Sequence, residues 1–225
     1  MGEPPVLGTV HTKLPTKRQR GKKAAVFEKL WRHDGAGWAN LGSTEWQAVY
    51  ERQIAMIDGR SYARALEIGC GAGFFSVLLA RVTNQLVALD IAPTAIDHAR
   101  TRLASPGRVD FRVANIMEYD IRAEGPWDLI VMSDTMYSLG SVYTFFEIAW
   151  LGAEMFAATS HGGRFLLANA SSAVEDEDED MRPWVIRTYR DLFLNVGYRL
   201  EREEIFPAKY RGVGFQFMSS CFVKG

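Results

Sequence analysis

The pattern of hydrophobic and polar positions changes at about Ala63. From there on, short apolar runs alternate with stretches whose apolar residues recur at helical spacing. Such alternation is typical of a parallel β-sheet covered by helices on both faces. The predicted strands are residues 64–68, 85–89, 109–113, 128–132 and 163–169, and the predicted helices are residues 74–82, 93–104, 141–159 and 183–194.

The chain ends differently from this alternation. Two apolar segments, residues 198–206 and 214–224, follow each other without a helical stretch between them. Strands joined by so short a connection pair antiparallel. The sequence therefore predicts an α/β three-layer sandwich with a seven-stranded, mostly parallel sheet and an antiparallel last strand.

The first 62 residues follow neither pattern. Residues 1–23 combine three prolines with a run of lysines and arginines, which favours a mobile basic arm, read either as a leader or as a lid over a ligand. Residues 24–62 contain two short amphipathic stretches, 24–31 and about 44–57, and predict a helical N-terminal cover. The remaining residues, 63–225, form the predicted α/β domain.

Composition narrows the class of protein. A length of 225 residues fits one domain, and 26 basic against 27 acidic residues give no global charge that favours nucleic acid or an anionic membrane. Two cysteines are too few for a disulfide framework, which favours a reducing cytoplasm. No apolar run approaches the ~20 residues that cross a bilayer, so no membrane association is expected.

The run Leu66-Glu67-Ile68-Gly69-Cys70-Gly71-Ala72-Gly73 carries the chemical information. It joins a predicted strand to a predicted helix, and its glycines allow the backbone to approach a ligand closely. The next strand ends in Asp90, whose carboxylate is placed to accept hydrogen bonds from both hydroxyls of a ribose or, alternatively, to cap the following turn. These features predict a nucleoside-containing ligand.

The glycine spacing distinguishes two classes of enzyme. Phe74 occupies the position where the dinucleotide fingerprint of dehydrogenases requires its third glycine. The motif instead resembles the first motif of the class I, Rossmann-like methyltransferases that use S-adenosylmethionine, Glu/Asp-x-Gly-x-Gly-x-Gly. The resemblance covers residues 63–224 and implies S-adenosylmethionine as the cofactor. A nicotinamide-dependent oxidoreductase is the less favoured alternative.

The resemblance also implies which residues hold the cofactor. The glycine run and Asp90 correspond to the methionine and ribose contacts, and Ile91 lies against the adenine. After the third strand the family usually has an acid that binds the adenine amine; here that position is Asn115, and the backbone of Ile116 faces a ring nitrogen. The full predicted set is Glu67, Gly69, Cys70, Gly71, Gly73, Asp90, Ile91, Asn115, Ile116 and Ser133.

Residues after the fourth strand are candidates for the reaction itself. Asp134 and Tyr137 follow the strand end where a parallel sheet presents its ligands, and Asp134 is suited to accept a proton from the acceptor, or alternatively to cap a turn. His33, in the covering segment, is a third candidate base. An acidic run, Glu175–Asp180, is expected to be a solvated loop, with a salt-bridged closure or a divalent-cation site as alternatives; no metal is predicted.

The acceptor is the least defined part of the prediction. Residues 133–136 lack the Asn/Asp-Pro-Pro-Tyr pattern of nucleic-acid amino methyltransferases. The chain is similar to the nodulation protein S (NodS-like) branch in its helical cover and in residues 66–70, 127–131 and 136–139. Members of that branch methylate a free amine of a deacetylated chitin oligosaccharide. The resemblance implies a saccharide acceptor, bound by a monomer or homodimer, with tryptophans as candidate sugar contacts. A different small metabolite, such as a polyketide or an amine, and a non-catalytic cofactor-binding protein stay open.

Overall fold

The computed structural model of the protein describes residues 17–33, 42–57, 59–103, 107–171, 182–210 and 213–225. The elements in chain order are α1 (Lys17–His33), α2 (Thr44–Ile57), β1 (Tyr62–Ile68), α3 (Phe74–Val82), β2 (Thr83–Asp90), α4 (Pro93–Arg102), β3 (Val109–Val113), β4 (Trp127–Ser133), α5 (Met136–Gly140), α6 (Phe145–Ala158), β5 (Thr159–Ser171), α7 (Pro183–Asn195), β6 (Arg199–Tyr210) and β7 (Val213–Val223).

The strands form one seven-stranded sheet in the order β3-β2-β1-β4-β5-β7-β6. Strands β1 to β5 pair in parallel, whereas β7 runs antiparallel to both of its neighbours, β5 and β6. The three-layer α/β sandwich with an antiparallel last strand is therefore confirmed. Because the chain order reverses between β1 and β4, the carboxyl ends of these strands flank a crevice, where parallel α/β sheets bind their ligands.

Alternating residues of the strands divide the core between the two faces of the sheet. In β1, Ala65 belongs to the apolar cluster that includes side chains of α2, α3 and α4. Leu66 and Ile68 belong to the opposite cluster, which includes side chains of α6 and α7. Both faces are buried, and this explains why the central strands carry apolar residues on both faces, as in Leu129–Met132, instead of alternating with polar ones.

Several strand ends differ from the prediction by a few residues, and two predicted helices begin at the wrong residue. Helix α1 begins at Lys17, so the last residues of the expected mobile arm are helical, while residues 1–16 lie outside the described part of the chain. The helix predicted from residue 141 begins at Phe145, preceded by the separate short helix α5. Thr144 caps α6: its hydroxyl accepts the Glu147 N–H at 3.2 Å, and the Glu147 carboxylate accepts the Thr144 N–H at 2.9 Å.

No helix within the described residues combines the length and the apolarity needed to span a membrane. The division of the chain into arm, cover and domain at residues 23 and 62 stays a prediction.

Candidate cofactor and acceptor site

A cavity lies at the carboxyl ends of β1, β2 and β4, and α1 and α2 close it from above. Its floor is the glycine turn after β1 together with the residues that follow β2 and β4. Phe27 and Trp31 of α1 and Tyr50 of α2 form part of its lining. The cover predicted from the sequence thus encloses the site that the glycine motif predicted.

The glycine turn is shaped by two close approaches. Gly69 has φ 78° and Gly71 has φ 52°, conformations that favour glycine. A Cβ atom on Gly69 would collide with the side chain of Thr135, and one on Gly71 would lie 3.1 Å from the indole of Trp31. These two glycines therefore let the backbone of the turn approach Thr135 and Trp31 closely at the edge of the cavity.

Gly73 has a different role from the one predicted. It is not among the residues that line the cavity. A Cβ atom there would lie 3.0 Å from the Cβ of Ala99 and 3.4 Å from the ring of Phe111. The third glycine consequently permits close packing of the turn against α4 and β3, and the expectation that it faces the cofactor is not supported by its position.

Asp90 holds the turn in place and still faces the cavity. One carboxylate oxygen accepts the Gly71 N–H at 2.9 Å, and the other accepts the Ala92 N–H at 2.9 Å. Burial raises the pKa of Asp90, and these backbone hydrogen bonds partly oppose that rise. The two roles predicted for Asp90, ribose binding and turn capping, are compatible. Each carboxylate oxygen accepts one backbone N–H and keeps a second lone pair for a ligand hydroxyl.

Glu67 lies beneath the turn and is 3 % exposed. Its carboxylate accepts a hydrogen bond of 2.5 Å from the Ser76 hydroxyl of α3. Burial raises the pKa of Glu67 to about 7, an effect that Ser76 opposes and that the nearby Asp90 carboxylate reinforces. A positively charged ligand group near Glu67 would lower this raised pKa and favour the carboxylate form, so the site is suited to a cationic ligand.

Asn115 and Ile116, the predicted adenine contacts, line one side of the cavity together with Tyr143. The Asn115 amide donates to the Tyr143 hydroxyl at 2.9 Å, and its carbonyl oxygen accepts the Met117 N–H at 3.1 Å. Asn115 is thus held rigidly by both ends. Its carbonyl keeps one lone pair for an exocyclic amine, which is the role predicted for it.

Asp134 occupies a strained position directly after β4. Among the described residues other than glycine it alone has a positive φ, 54°. Its N–H donates to the Ala168 carbonyl at 2.7 Å, and its carboxylate accepts the Ala170 N–H at 3.1 Å. Burial raises its pKa to about 6, while the bonds from Ala170 and from the Tyr137 hydroxyl oppose the rise.

The strain at Asp134 has a chemical consequence. Two strands, β4 and β5, fix the carboxylate in the cavity that the glycine turn also lines. Strained backbone of this kind persists only where the surrounding structure holds it, and it occurs often at functional sites. Asp134 and Tyr137 were predicted as neighbours in the site, and both line the cavity beside the glycine turn. The Tyr137 hydroxyl donates a hydrogen bond to the Asp134 carboxylate.

Several lining residues were not predicted as part of the site. Tyr50 stacks on Phe75 with ring centroids 5.1 Å apart, and burial together with the charges of Asp134 and Glu67 raises its pKa. Trp31 is 5 % exposed and covers Gly71. Aromatic residues at helical spacing in the cover were the available signal. The side chain of His33 lies outside the described part of the structure, as do Trp38, one of the tryptophans expected as candidate sugar contacts, and the acidic run Glu175–Asp180.

The residues of the cavity fit S-adenosylmethionine. Gly69 and Gly71 bring no side chain into the cavity where the methionine chain is expected, and the Asp90 carboxylate lines the cavity with lone pairs free for ribose hydroxyls. The Ser133 hydroxyl oxygen is buried and has no hydrogen-bond partner within the described structure. Because buried polar groups are normally hydrogen-bonded, it is suited to bind a polar group of a ligand. Among the described residues no cluster of three or more His, Cys, Asp or Glu side chains is arranged to hold a metal ion.

Comparison with known proteins points to the same class. Residues 65–163 match the family model described as a methyltransferase domain. The solved structure of the N-methyltransferase NodS from Bradyrhizobium japonicum WM9, in complex with S-adenosyl-L-homocysteine, superposes with a TM-score of 0.74 at 17 % identity, covering 90 % of this chain and 98 % of that one. At this identity the likeness concerns the fold.

Curated relatives are more similar in sequence but over shorter stretches. Nodulation protein S of Rhizobium tropici is 31 % identical over 111 residues, which are 49 % of this chain and 44 % of that protein. Ubiquinone biosynthesis O-methyltransferase of Xanthomonas campestris pv. campestris (strain B100) is 33 % identical over 116 residues, 51 % of this chain and 47 % of that protein. The matches thus span about half the length of these relatives.

Residues 65–163 thus match a methyltransferase domain, and the sheet and the glycine turn have the arrangement of the class I, Rossmann-like fold, so the chain is similar to the methyltransferases that use S-adenosylmethionine. Within this class, the chain is similar to the NodS-like branch in both sequence and fold.

Proposed function

We propose that the protein transfers a methyl group from S-adenosylmethionine to an amine or hydroxyl group of a small acceptor, and that this acceptor is a saccharide. The observation that carries the proposal is the position of Asp134. A carboxylate with a pKa raised to about 6 lies in the same cavity as the cofactor cradle, hydrogen-bonded to Tyr137.

The cofactor brings an activated methyl group on a sulfonium, so the protein must mainly position the acceptor and remove its proton. Gly69 and Gly71 leave space for the methionine portion, and Asp90 holds the ribose. Glu67 becomes charged when a cationic ammonium or sulfonium group approaches, because that charge lowers its raised pKa.

Asp134 acts as the general base for the acceptor. At neutral pH a carboxyl with a pKa of about 6 is mostly ionised, yet it is more basic than an exposed aspartate. The backbone N–H of Ala170 and the hydroxyl of Tyr137 fix its orientation. This arrangement serves either an amine or a hydroxyl acceptor, since both lose a proton when they are methylated.

The preference for a saccharide is supported by the similarity to the NodS-like branch. The similarity to ubiquinone biosynthesis O-methyltransferase supports a second candidate, a small hydroxylated metabolite. Both candidates share the same chemistry and differ only in the acceptor.

A panel of acceptors tests the proposal. Purified protein is incubated with S-adenosylmethionine labelled in the methyl group and with glucosamine oligomers, neutral sugars, polyhydroxylated aromatic compounds or simple amines, and transfer is followed by mass spectrometry. We expect label on an amino sugar or a sugar hydroxyl. Label on the aromatic compounds alone would replace the saccharide by the second candidate. Cofactor binding without transfer to any acceptor would favour the non-catalytic alternative.

A further inference from the structure

The outward face of α6 is made of apolar side chains. Four exposed residues recur along it at helical spacing: Phe146 (76 %), Trp150 (63 %), Ala153 and Ala157. At about 100° per residue they lie within roughly 60° of the helix circumference, on the side opposite the residues that α6 buries in the core. We call these four residues the α6 stripe.

Such a face is unusual for a helix at the surface. A helix that packs on a sheet with one side normally presents charged and polar residues on the other. Helix α6 contains neither lysine nor arginine, and its two charged residues, Glu147 and Glu154, lie beside the stripe rather than in it. The exposure of Phe146 and Trp150 shows that none of the described elements covers them. An uncovered apolar face of this kind indicates an interaction surface.

The order of large and small residues makes the stripe complementary to itself. Its N-terminal half carries the two large rings, and its C-terminal half carries the two alanines. Phe146 and Ala157 are its two ends, and Trp150 and Ala153 lie equally far from its midpoint. If two copies of α6 pack antiparallel about a twofold axis through this midpoint, each ring faces an alanine of the other copy. The stripe therefore fits a second copy of the same chain.

A second copy suits the stripe better than a lipid surface does. Helices that lie on membranes typically carry lysine and arginine beside their apolar face. The charged residues beside the α6 stripe are acidic. Glu147 belongs to the capping box of α6, and the Glu154 carboxylate lies 3.7 Å from the Arg122 guanidinium. An anionic bilayer would repel these carboxylates, whereas an antiparallel second helix brings opposite ends of the two helix dipoles together.

The area of the stripe is sufficient for a small dimer interface. At typical areas of 150–250 Å² per aromatic residue, Phe146, Trp150 and the adjoining Phe145 present roughly 400 Å² in each copy. Two copies therefore bury roughly 800 Å² of ring surface. Ala153, Ala157 and the side chains that flank them bring the total to the ~1,000 Å² that a specific interface needs.

We propose that the α6 stripe is the interface of a homodimer in which two copies of α6 pack antiparallel about a twofold axis. Phe146 then contacts Ala157 of the second copy, and Trp150 contacts Ala153 of the second copy. None of these four residues lines the cavity. The inference is therefore independent of the acceptor and of the proposed function.

Sedimentation velocity of the full chain over a series of concentrations tests the interface. We expect a monomer–dimer equilibrium with a dissociation constant on the order of micromolar, as befits a small interface. In Phe146→Glu this constant should rise on the order of 100-fold, because each copy would bury an unpaired charge. Ile205→Glu places the same charge at an exposed apolar position on β6 and should keep the wild-type constant.

An exchange of side-chain sizes tests the antiparallel pairing. Trp150→Ala leaves alanines opposite each other and should weaken the dimer on the order of 10-fold. Ala153→Trp places two indoles at one contact and should weaken it as well. The double variant Trp150→Ala, Ala153→Trp again places a ring against an alanine at both symmetry-related contacts. We expect it to recover most of the wild-type affinity.

Three outcomes would contradict the assignment. A wild type that stays monomeric would overturn it, and binding of that monomer to phosphatidylcholine vesicles, lost in Phe146→Glu, would make the stripe a lipid contact. A dimer that survives Phe146→Glu would place the interface on another face. If the single variants dissociate and the double variant does not recover, the antiparallel pairing is wrong. A titration of each variant with S-adenosyl-L-homocysteine, whose cavity excludes the stripe, verifies that the fold is intact.

Discussion

Asp134 combines strain, burial and two hydrogen bonds at a single residue. Replacing it by Asn keeps an oxygen to accept the Ala170 N–H but removes the ability to take a proton. We expect Asp134→Asn to lower kcat on the order of 100-fold or more, the usual contribution of a positioned base. The dissociation constant of S-adenosyl-L-homocysteine should change little, since the cofactor cradle is built mainly from other residues.

The pH profile of the same reaction gives an independent check. With a pKa of about 6, Asp134 is protonated below pH 6 and ionised above it. The rate should therefore rise with pH through about 6 and then level off, and this limb should be absent from the residual activity of Asp134→Asn. Asp97→Asn, which changes an exposed acid on α4, serves as the control. An unchanged rate in Asp134→Asn would remove this residue from the mechanism.

Glu67 makes the stability of the protein dependent on pH. Its pKa rises from 4.5 to about 7 on folding, so the folded state holds this proton more tightly than the unfolded state. Stability must then fall as the pH rises from about 4.5 to 7, and the cost above pH 7 is about 3 kcal/mol, at roughly 1.4 kcal/mol per pKa unit.

Glu67→Gln isolates this effect, because glutamine is neutral at every pH and still accepts the Ser76 hydrogen bond. Urea unfolding at pH 8 should show the variant to be more stable than the wild type, by up to about 3 kcal/mol. At pH 5 the difference should shrink to about 1 kcal/mol or less, because most of the proton uptake on folding occurs between pH 5 and 7. An equal difference at both pH values would mean that Glu67 is charged in the folded protein throughout this range.

The residues of the site differ in how far the sequence revealed them. Gly69, Gly71 and Asp90 were predicted because their pattern is local: a strand, a turn and the next strand end suffice. Tyr50 was not predicted, and Trp31 was expected only as one of the candidate sugar contacts, since their places depend on where α1 and α2 lie over the sheet, which short-range patterns do not encode. Gly73 follows the motif but packs against Ala99, so the motif alone did not separate ligand contact from helix packing.

Helix α1 is an element whose position decides access to the cavity. Its residue Glu28 accepts hydrogen bonds from the N–H of Thr94 at 3.1 Å and from its hydroxyl at 2.7 Å. Thr94 lies in the first turn of α4, so Glu28 also satisfies an N-terminal donor of that helix. Together with Trp31 over Gly71, this contact fastens α1 across the cavity.

Loosening this contact should speed the exchange of the ligand beneath α1. We expect Glu28→Ala to increase the dissociation rate of S-adenosyl-L-homocysteine on the order of 10-fold, as measured by stopped-flow fluorescence, because charge-assisted hydrogen bonds hold the helix down. Glu51→Ala, an exposed acid on α2, should leave the rate unchanged. A rate that is equal in all three proteins would show that the ligand leaves without movement of α1.

The elements themselves were largely predictable, with errors at their ends. Buried apolar runs such as Leu129–Met132 stand out from their surroundings. Their ends do not, because polar residues such as Thr83 and Ser171 pair in the sheet as well as apolar ones. Helix α1 was predicted too short, since a run of basic residues indicated a mobile arm. Lysine and arginine are good helix formers, however. The C-terminal half of α1 is held in place by Trp31, and the helix continues from there towards the N-terminus through the basic residues.

At the scale of the whole molecule, the cavity joins the helical cover to the edge of the sheet. Phe27 and Trp31 approach it from α1, Tyr50 from α2, and the glycine turn from the sheet. A ligand bound there contacts both parts at once. Its binding energy therefore stabilises the cover and the sheet together, and the two should unfold in one transition.

The extent of this stabilisation follows from mass action. At a concentration 100 times its dissociation constant, S-adenosyl-L-homocysteine should add about 2.7 kcal/mol to the folded state. For a chain of this size each kcal/mol raises Tm by roughly 2–4 °C, so we expect a shift of about 5–10 °C. NAD at the same concentration should leave Tm unchanged, because Phe74 follows the turn where a dinucleotide site needs glycine.

Asp90→Ala separates the contribution of the ribose contact from that of the fold. This variant will itself be less stable, since Asp90 holds the N–H groups of Gly71 and Ala92 in place. The informative quantity is therefore the shift that the ligand produces in each protein, measured by scanning calorimetry with and without it. The shift should fall by several degrees in Asp90→Ala, because a ten-fold weaker ligand loses about 1.4 kcal/mol of stabilisation at a fixed concentration. An equal shift in both proteins would mean that Asp90 only organises the turn and that the ribose is held elsewhere in the cavity.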